Sequence, residues 1–125
     1  MQTIIYTPQA PAPIGPYSQA VLINNTLFVS GQIAINPETS DLVLTDIVSE
    51  THQVMGNLKA ILTEAGFELS NVVKTCIFVK DLNNFSKINE IYGSYFTSHA
   101  PARETVEVSR LPKDVNVEIS CIAAR

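Results

Sequence analysis

The feature that most constrains this chain is one amphipathic helix enclosed between two strand-like runs. Asp46 is a favourable N-cap, apolar residues recur at helical spacing from Ile47 to Ala65, and Gly66 suits the position after a helix end. The run TLFVSGQIAI precedes this helix, and the β-branched run VVKTCIFVKDL, from Val72 to Leu82, follows it. A strand, a helix and a strand in this order predict a right-handed parallel crossover, with the helix packed on one face of a sheet.

The remaining segments predict a mixed sheet. YSQAVLI pairs with TLFVSGQIAI through a turn at Asn24-Asn25, and TIIY, ahead of a proline-rich arm, is a short edge strand. NNFSKINEIYGSYF has the spacing of a second helix, and the strands Arg103–Ser109 and Val115–Ala123 follow, joined by an LPKD turn. We expect a single α+β domain over residues 1–125, with about six strands and both helices on one face.

The other face of such a sheet has no covering layer within the chain. Hydrophobic residues make up 46% of the sequence and charged residues only 16%, against roughly 25% charged in ordinary soluble domains. A surface with so few charges indicates burial against further copies of the chain. We therefore expect an oligomer.

Charge and motifs argue against several classes of protein. The net charge is −4 and the eight basic residues are scattered, which makes a nucleic-acid-binding face improbable. No apolar run is long enough for a membrane span and the first residues lack a signal-peptide pattern, so a cytoplasmic location is expected. Cys76 and Cys121 stand alone in apolar runs, where we expect buried thiols, and two histidines are too few for a metal cluster.

Two charged residues stand inside the last two strand-like runs. Because side chains alternate across a strand, placing Val106 and Val108 toward the helices puts Arg103 and Thr105 on the opposite face. The same alternation places Glu118 on that opposite face, on the strand expected to be the neighbour. The pattern predicts that Arg103 and Glu118 project from one side of the sheet. A simple salt bridge between them remains an alternative to a binding site.

Several motifs together resemble the RidA/YjgF family, also known as the L-PSP endoribonuclease family. They are IGPYSQA, VSGQI, AINPET, VVKTCIFVKDL, NEIYGSYF, PAR, RLPKD and VEI, in order along nearly the whole chain. The resemblance implies a chorismate-mutase-like fold and a homotrimer whose sheets form a central barrel, with sites between subunits. It also implies hydrolysis of reactive 2-imino and enamine acids, such as 2-iminobutanoate and 2-iminopropanoate, to 2-keto acids and ammonia. The family uses no metal or organic cofactor.

The resemblance assigns roles to individual positions. The arginine that binds the substrate carboxylate falls on Arg103, and the glutamate that handles water falls on Glu118. The implied substrate-binding positions are Tyr17, Ser30, Gly31, Asn89 and Thr105. Each has a purely structural alternative: a packed ring, a hydroxyl bonded to backbone, a bulge or a solvated polar face.

The chain departs from the family pattern at three positions near the site. Glu104 stands where a small residue usually follows PAR, Thr105 replaces a frequent cysteine, and Ser120 replaces a frequent glutamate. If Glu104 paired with Arg103, it would weaken anion binding. A regulatory module that binds keto acids or nucleobases without turnover therefore stays open, and so does a ribonuclease, against which the acidic balance counts. The preferred imine and any partner enzyme are left open.

Overall fold

One six-stranded sheet carries two helices in the computed structural model, which describes all residues 1–125. The elements are β1 (Gln2–Ile5), β2 (Ala20–Ile23), β3 (Thr26–Gln32), α1 (Ile47–Glu64), β4 (Val72–Val79), α2 (Phe85–Ser94), β5 (Ala102–Glu107) and β6 (Val117–Ala124). The strand order is β1-β2-β3-β6-β4-β5. Antiparallel pairs and the parallel β4–β5 pair coexist, so the predicted α+β fold with a mixed sheet is confirmed.

The last two strands do not pair with each other. β6 lies between β3 and β4 and runs antiparallel to both, whereas β5 pairs only with β4, at the edge of the sheet. The expectation that β5 and β6 are neighbours was therefore wrong. The α1 crossover joins β3 to β4 while leaving the width of one strand between them, and β6 fills that gap.

Helix α1 begins and ends where the local signals place it. The Asp46 carboxylate accepts a hydrogen bond from the Ser49 backbone N–H at 2.7 Å, and Gly66 adopts a φ of 79° just after the helix. The buried face of α1 includes Val54, Met55, Leu58, Ile61 and Leu62. Each such side chain contributes about 1.5–3 kcal/mol when fully buried, so this face anchors the core.

A buried carboxylate joins α1 to the start of β6. Both oxygens of Glu50 accept hydrogen bonds from Asn116, one from its backbone N–H and one from its side-chain amide, each at 2.7 Å. Glu50 is fully buried, and these bonds replace the water it loses on folding. They fix the residue that lies two positions before Glu118.

The two faces of the sheet differ in what covers them. On the face toward the helices, here called the helix face, β6 presents Val117, Ile119, Cys121 and Ala123, all buried. The opposite face, here called the open face, carries Glu118, Ser120 and Ile122 from the same strand. It also carries Phe28 and Val106, which are 47% and 44% exposed. Exposed apolar side chains on one face of a sheet are typical of a contact surface.

Strand β5 presents the face opposite to the one that its sequence pattern predicts. Arg103 pairs with Thr75 and Thr105 with Ile77, and both partners are buried on the helix face. Val106 pairs with Phe78 and lies on the open face, as does Glu118, which pairs with Phe78 from the other side. The prediction that Arg103 and Glu118 share a face was therefore wrong. The valines were a poor guide because β5 is an edge strand beside α2, and the residues that face this helix are Arg103 and Thr105.

The two cysteines differ in their burial. Cys121 is buried as expected, but Cys76 is partly exposed on the open face, and neither forms a disulfide. No group of three or more His, Cys, Asp or Glu side chains converges anywhere in the chain. Neither helix combines the length and the hydropathy needed to cross a membrane.

Candidate active site

The Arg103 cluster lies where β5 meets α2. Arg103 Nη1 donates a hydrogen bond to Asn89 Oδ1 at 2.6 Å. Its guanidinium carbon lies 5.3 Å from the ring centroid of Phe85 and 5.1 Å from that of Tyr92, within the range of cation–π contact. All three partners come from α2 and none is charged. Arg103 is thus oriented by neutral groups and forms no salt bridge, which leaves its charge free for an anion.

Beneath Arg103 lies a second polar layer. The hydroxyls of Thr75 and Tyr92 are 2.7 Å apart and buried, and burial raises the pKa of Tyr92. Thr105, two residues after Arg103 on the same face, has a buried hydroxyl oxygen with no hydrogen-bond partner. A buried polar atom without a partner is costly, and such atoms in native proteins are uncommon. The Thr105 hydroxyl is therefore a candidate to bind a ligand beside Arg103.

The other predicted residues line a pocket on the open face, here called the Glu118 pocket. Its volume is about 450 Å³, in the range of small-molecule sites. Four of the predicted residues line it: Tyr17, Ser30, Gly31 and Glu118. Arg103, Asn89 and Thr105 do not. The structure thus divides the predicted site residues into two clusters on opposite faces of the sheet.

Glu118 is the one acidic residue that lines this pocket. Its side chain is partly buried, and burial is the one cause that shifts its pKa, which is raised above that of an ordinary glutamate. It takes part in neither of the two salt bridges of the chain. A carboxylate with a raised pKa and no ionic partner is suited to take a proton from water and give it back.

Gly31 makes room for that carboxylate. The predicted bulge is present, since the register between β3 and β6 shifts between Val29 and Gln32. A β-carbon placed on Gly31 would lie 2.5 Å from Glu118 Oε2 and 2.9 Å from its Cδ. Any side chain at this position would push the Glu118 carboxylate out of place.

Tyr17 and Ser30 line the pocket but already have backbone contacts. The Ser30 hydroxyl donates to the Ser18 carbonyl at 2.6 Å, and the Tyr17 hydroxyl accepts a long bond of 3.4 Å from the Ile14 backbone N–H. The Tyr17 ring is 51% exposed and is therefore not simply a core side chain. Ser30 keeps a free lone pair for a ligand, whereas its proton is already committed.

Further polar residues, not predicted from the sequence, hold the irregular walls of the pocket. Buried Asn57 of α1 donates to the carbonyls of Ile33 and Ile35 at 3.1 and 3.0 Å, and buried Gln19 bonds to the proline-rich arm. Lys113, in the RLPKD motif, lines the pocket with a left-handed φ of 55°. A signal for Gln19 was present, because an arm rich in proline lacks N–H donors and requires side-chain partners.

Glu104 does not contact Arg103. It lies on the open face, where its carboxylate forms a salt bridge of 2.9 Å with Lys74. The bond to Lys74 lowers the pKa of Glu104. The concern that Glu104 would neutralise Arg103 within one chain therefore falls away.

Comparisons with known proteins agree with this architecture. The sequence model of the family described as endoribonuclease L-PSP matches residues 7–125. The chain belongs to the L-PSP family. This is the RidA/YjgF family that the sequence motifs indicated.

Relatives within the L-PSP family are similar over their whole length. A RutC family protein of Pyrococcus horikoshii is 53% identical over 98% of both chains. The 2-iminobutanoate/2-iminopropanoate deaminase of Escherichia coli is 48% identical over 100% of this chain and 99% of its own. The crystal structure of TdcF from the same organism with bound serine superimposes with a TM-score of 0.95 at 40% identity, covering 98% of each chain.

Proposed function

We propose that this protein hydrolyses 2-imino and enamine acids, such as 2-iminobutanoate and 2-iminopropanoate, to 2-keto acids and ammonia. The observation that carries the proposal is that the two central charges, Arg103 and Glu118, have no ionic partner and are kept apart on opposite faces of the sheet. An unpaired cation and an unpaired carboxylate on either side of a substrate are what this hydrolysis requires. The deaminase at 48% identity supports the same reaction class.

Because one chain separates the two clusters, a complete site needs two chains. We place it at the junction of neighbouring subunits of a homotrimer, where Arg103 of one chain approaches the Glu118 pocket of the next. The exposed apolar residues of the open face, among them Phe28 and Val106, support such a contact.

Arg103 binds the substrate carboxylate in this proposal. The planar guanidinium donates two parallel hydrogen bonds to a carboxylate, and Asn89 with the two aromatic rings fixes its plane. The Thr105 hydroxyl lies on the same face and supplies a further hydrogen bond to the substrate. TdcF, crystallised with serine, shows that a member of the family binds a small amino acid.

Glu118 activates water. The carboxylate takes a proton from a water molecule as the water oxygen attacks the carbon of the protonated imine, and a neutral carbinolamine forms. Glu118 then gives this proton to the nitrogen. As the C–N bond breaks, Glu118 accepts the proton of the carbinolamine hydroxyl, so ammonia leaves and the keto group forms. Tyr17, Ser30 and Gly31 shape the pocket in which the water and the imine carbon meet. None of these steps requires a metal or an organic cofactor.

The test is a coupled assay with a trap. A pyridoxal-phosphate threonine dehydratase generates 2-iminobutanoate, semicarbazide traps it, and a deaminase lowers the rate of semicarbazone formation while 2-ketobutanoate is released. Wild type should compete with the trap, and Arg103→Ala should not. Arg110→Ala is the matched control, since Arg110 is an exposed arginine paired with Asp114. Absence of competition by wild type with imines from several amino acids would refute the deaminase.

A further inference from the structure

The N-terminal arm is the least regular wall of the Glu118 pocket. Between β1 and β2 the chain contains Pro8, Pro11, Pro13 and Pro16, and it contributes Pro11, Ala12, Ile14 and Tyr17 to the pocket lining. Proline has no backbone N–H, so the arm cannot pair as a strand. Only two of its backbone N–H groups bond to backbone within the arm, those of Ala10 and Tyr17.

One buried side chain bonds to the arm at three residues. Gln19 is 1% exposed. Its Oε1 accepts from the Thr7 backbone N–H at 2.7 Å, and its Nε2 donates to the carbonyls of Thr7, Ala10 and Pro11 at 3.0, 3.3 and 2.9 Å. A carboxamide is the side chain that offers a donor and an acceptor together at this length.

The backbone of the same residue reaches the other side of the pocket. The Gln19 carbonyl accepts from the Ser30 N–H at 2.9 Å, at the bulge where Gly31 makes room for Glu118. Gln19 itself also lines the pocket. It therefore connects the arm and the bulge through one residue.

We propose that Gln19 is a positioning residue that holds the proline-rich arm as the wall of the Glu118 pocket and thereby limits the access of bulk water to the Glu118 carboxylate. This role of Gln19 deepens the proposed function. It depends on the proposed function only for the measurement of turnover. The role of Gln19 in shaping the pocket can be tested whether or not the protein is a deaminase.

The main variant is Gln19→Met, which keeps the length of the side chain and removes both polar groups. Thr7, Ala10 and Pro11 then lose their partners, and the arm detaches because unpaired backbone groups favour water. The matched control is Val54→Ala, which creates a cavity in the core on α1 and removes none of the hydrogen bonds between Gln19 and the arm. The control reports what loss of stability alone does.

Three quantities are measured for each variant: amide exchange of the arm, the pKa of Glu118 and kcat/KM. Amide exchange of Thr7, Gln9 and Ala10, the hydrogen-bonded N–H groups of the arm near Gln19, should accelerate at least tenfold in Gln19→Met and not in the control. The pKa of Glu118, followed by carbon NMR of its carboxyl group, should fall toward that of an ordinary glutamate, since burial is what raises it. The other titratable groups lining the pocket are Tyr17 and Lys113, and each is exposed. The kcat/KM for 2-iminobutanoate should fall about tenfold, mostly through kcat.

Each outcome decides the proposal. Faster exchange together with a lowered Glu118 pKa supports it, even if wild type shows no turnover, in which case only the deaminase fails. A mobile arm with an unchanged Glu118 titration overturns it, and so does an arm whose exchange stays at the wild-type rate. If Gln19→Met does not fold, Gln19→Glu replaces it, because its shape is the same and its carboxylate repels the three carbonyls. Effects of equal size in Val54→Ala would also refute a positioning role.

Discussion

The Arg103 cluster and the Glu118 pocket differ in how they surround their charged side chains. Arg103 is exposed, and neutral groups of α2 fix its orientation, so its charge is oriented without being cancelled. Glu118 is partly buried with no ionic partner, and its pKa is raised by that burial. In the proposed mechanism, the first region binds an anion and the second holds the carboxyl group that exchanges a proton. The sheet between them prevents the two charges from meeting within one chain.

The largest effect on kcat is expected for substitution of Glu118, the residue proposed to exchange a proton with water. Glu118→Gln should lower kcat by about 10²- to 10⁴-fold, the range of general acid–base catalysis, while a 2-keto acid still binds at Arg103. Steady-state kinetics and calorimetric titration with 2-ketobutanoate measure the two quantities. Glu104→Gln, on the same open face but paired with Lys74, is the control and should keep at least half of the wild-type kcat. Full turnover in Glu118→Gln would remove Glu118 from the chemistry.

The next prediction tests whether the two regions act across subunits. Arg103→Ala and Glu118→Gln should each be nearly inactive, but co-refolding them in equal amounts should restore activity. In random closed trimers about a quarter of the junctions combine an intact Arg103 from one chain with an intact Glu118 from its neighbour. The expected recovery is therefore about a quarter of the wild-type rate. No recovery, with mixed trimers shown by mass spectrometry, would place each site within one chain.

A smaller effect should follow from giving Arg103 a charged partner. Asn89→Asp places a carboxylate where the amide oxygen now accepts at 2.6 Å, so it competes with the substrate for the guanidinium. Because the pair is exposed, we expect KM to rise only about 3- to 10-fold, with kcat nearly unchanged. Asn89→Ala removes the orientation without adding charge and should raise KM less. Equal KM values for the two variants would contradict the view that Arg103 needs a neutral partner.

The smallest effect is on thermal stability. Removing the charge of Glu118 and removing the charge of Glu104, both on the open face, should change the Tm in opposite directions. Since the folded pKa of Glu118 is raised, unfolding becomes easier as the pH rises from the ordinary glutamate pKa through the folded one. Glu118→Gln should therefore raise the Tm by about 1–3 °C at pH 7, and the gain should disappear at acidic pH. The bond to Lys74 lowers the pKa of Glu104, so Glu104→Gln should lower the Tm slightly at pH 7 and not at acidic pH. Shifts of the same sign, measured by thermal unfolding across pH, would contradict these assignments.

Local signals in the sequence predicted the elements well. The Asp46 cap, the glycine after α1, the turn at Asn24 and the bulge beside Gly31 all depend on a few consecutive residues, and the structure confirms each. Motif resemblance indicated the family, which the comparisons confirm, and it proposed the site residues. The role of Gln19 was not predicted, because it depends on four hydrogen bonds to residues that are 8–12 positions away in the sequence.

By itself the sequence determined which segments become helices and strands. It also determined that a charged residue, Arg103 or Glu118, stands in each of the last two strands. Only the tertiary structure decided that β6 inserts beside β4 and that Arg103 faces α2 while Glu118 faces away. The physical reason is that caps and periodicity act within one element, whereas the face an edge strand presents depends on what packs against each side. In β5, Arg103 and Thr105 lie on the face covered by α2, and Val106 lies on the open face.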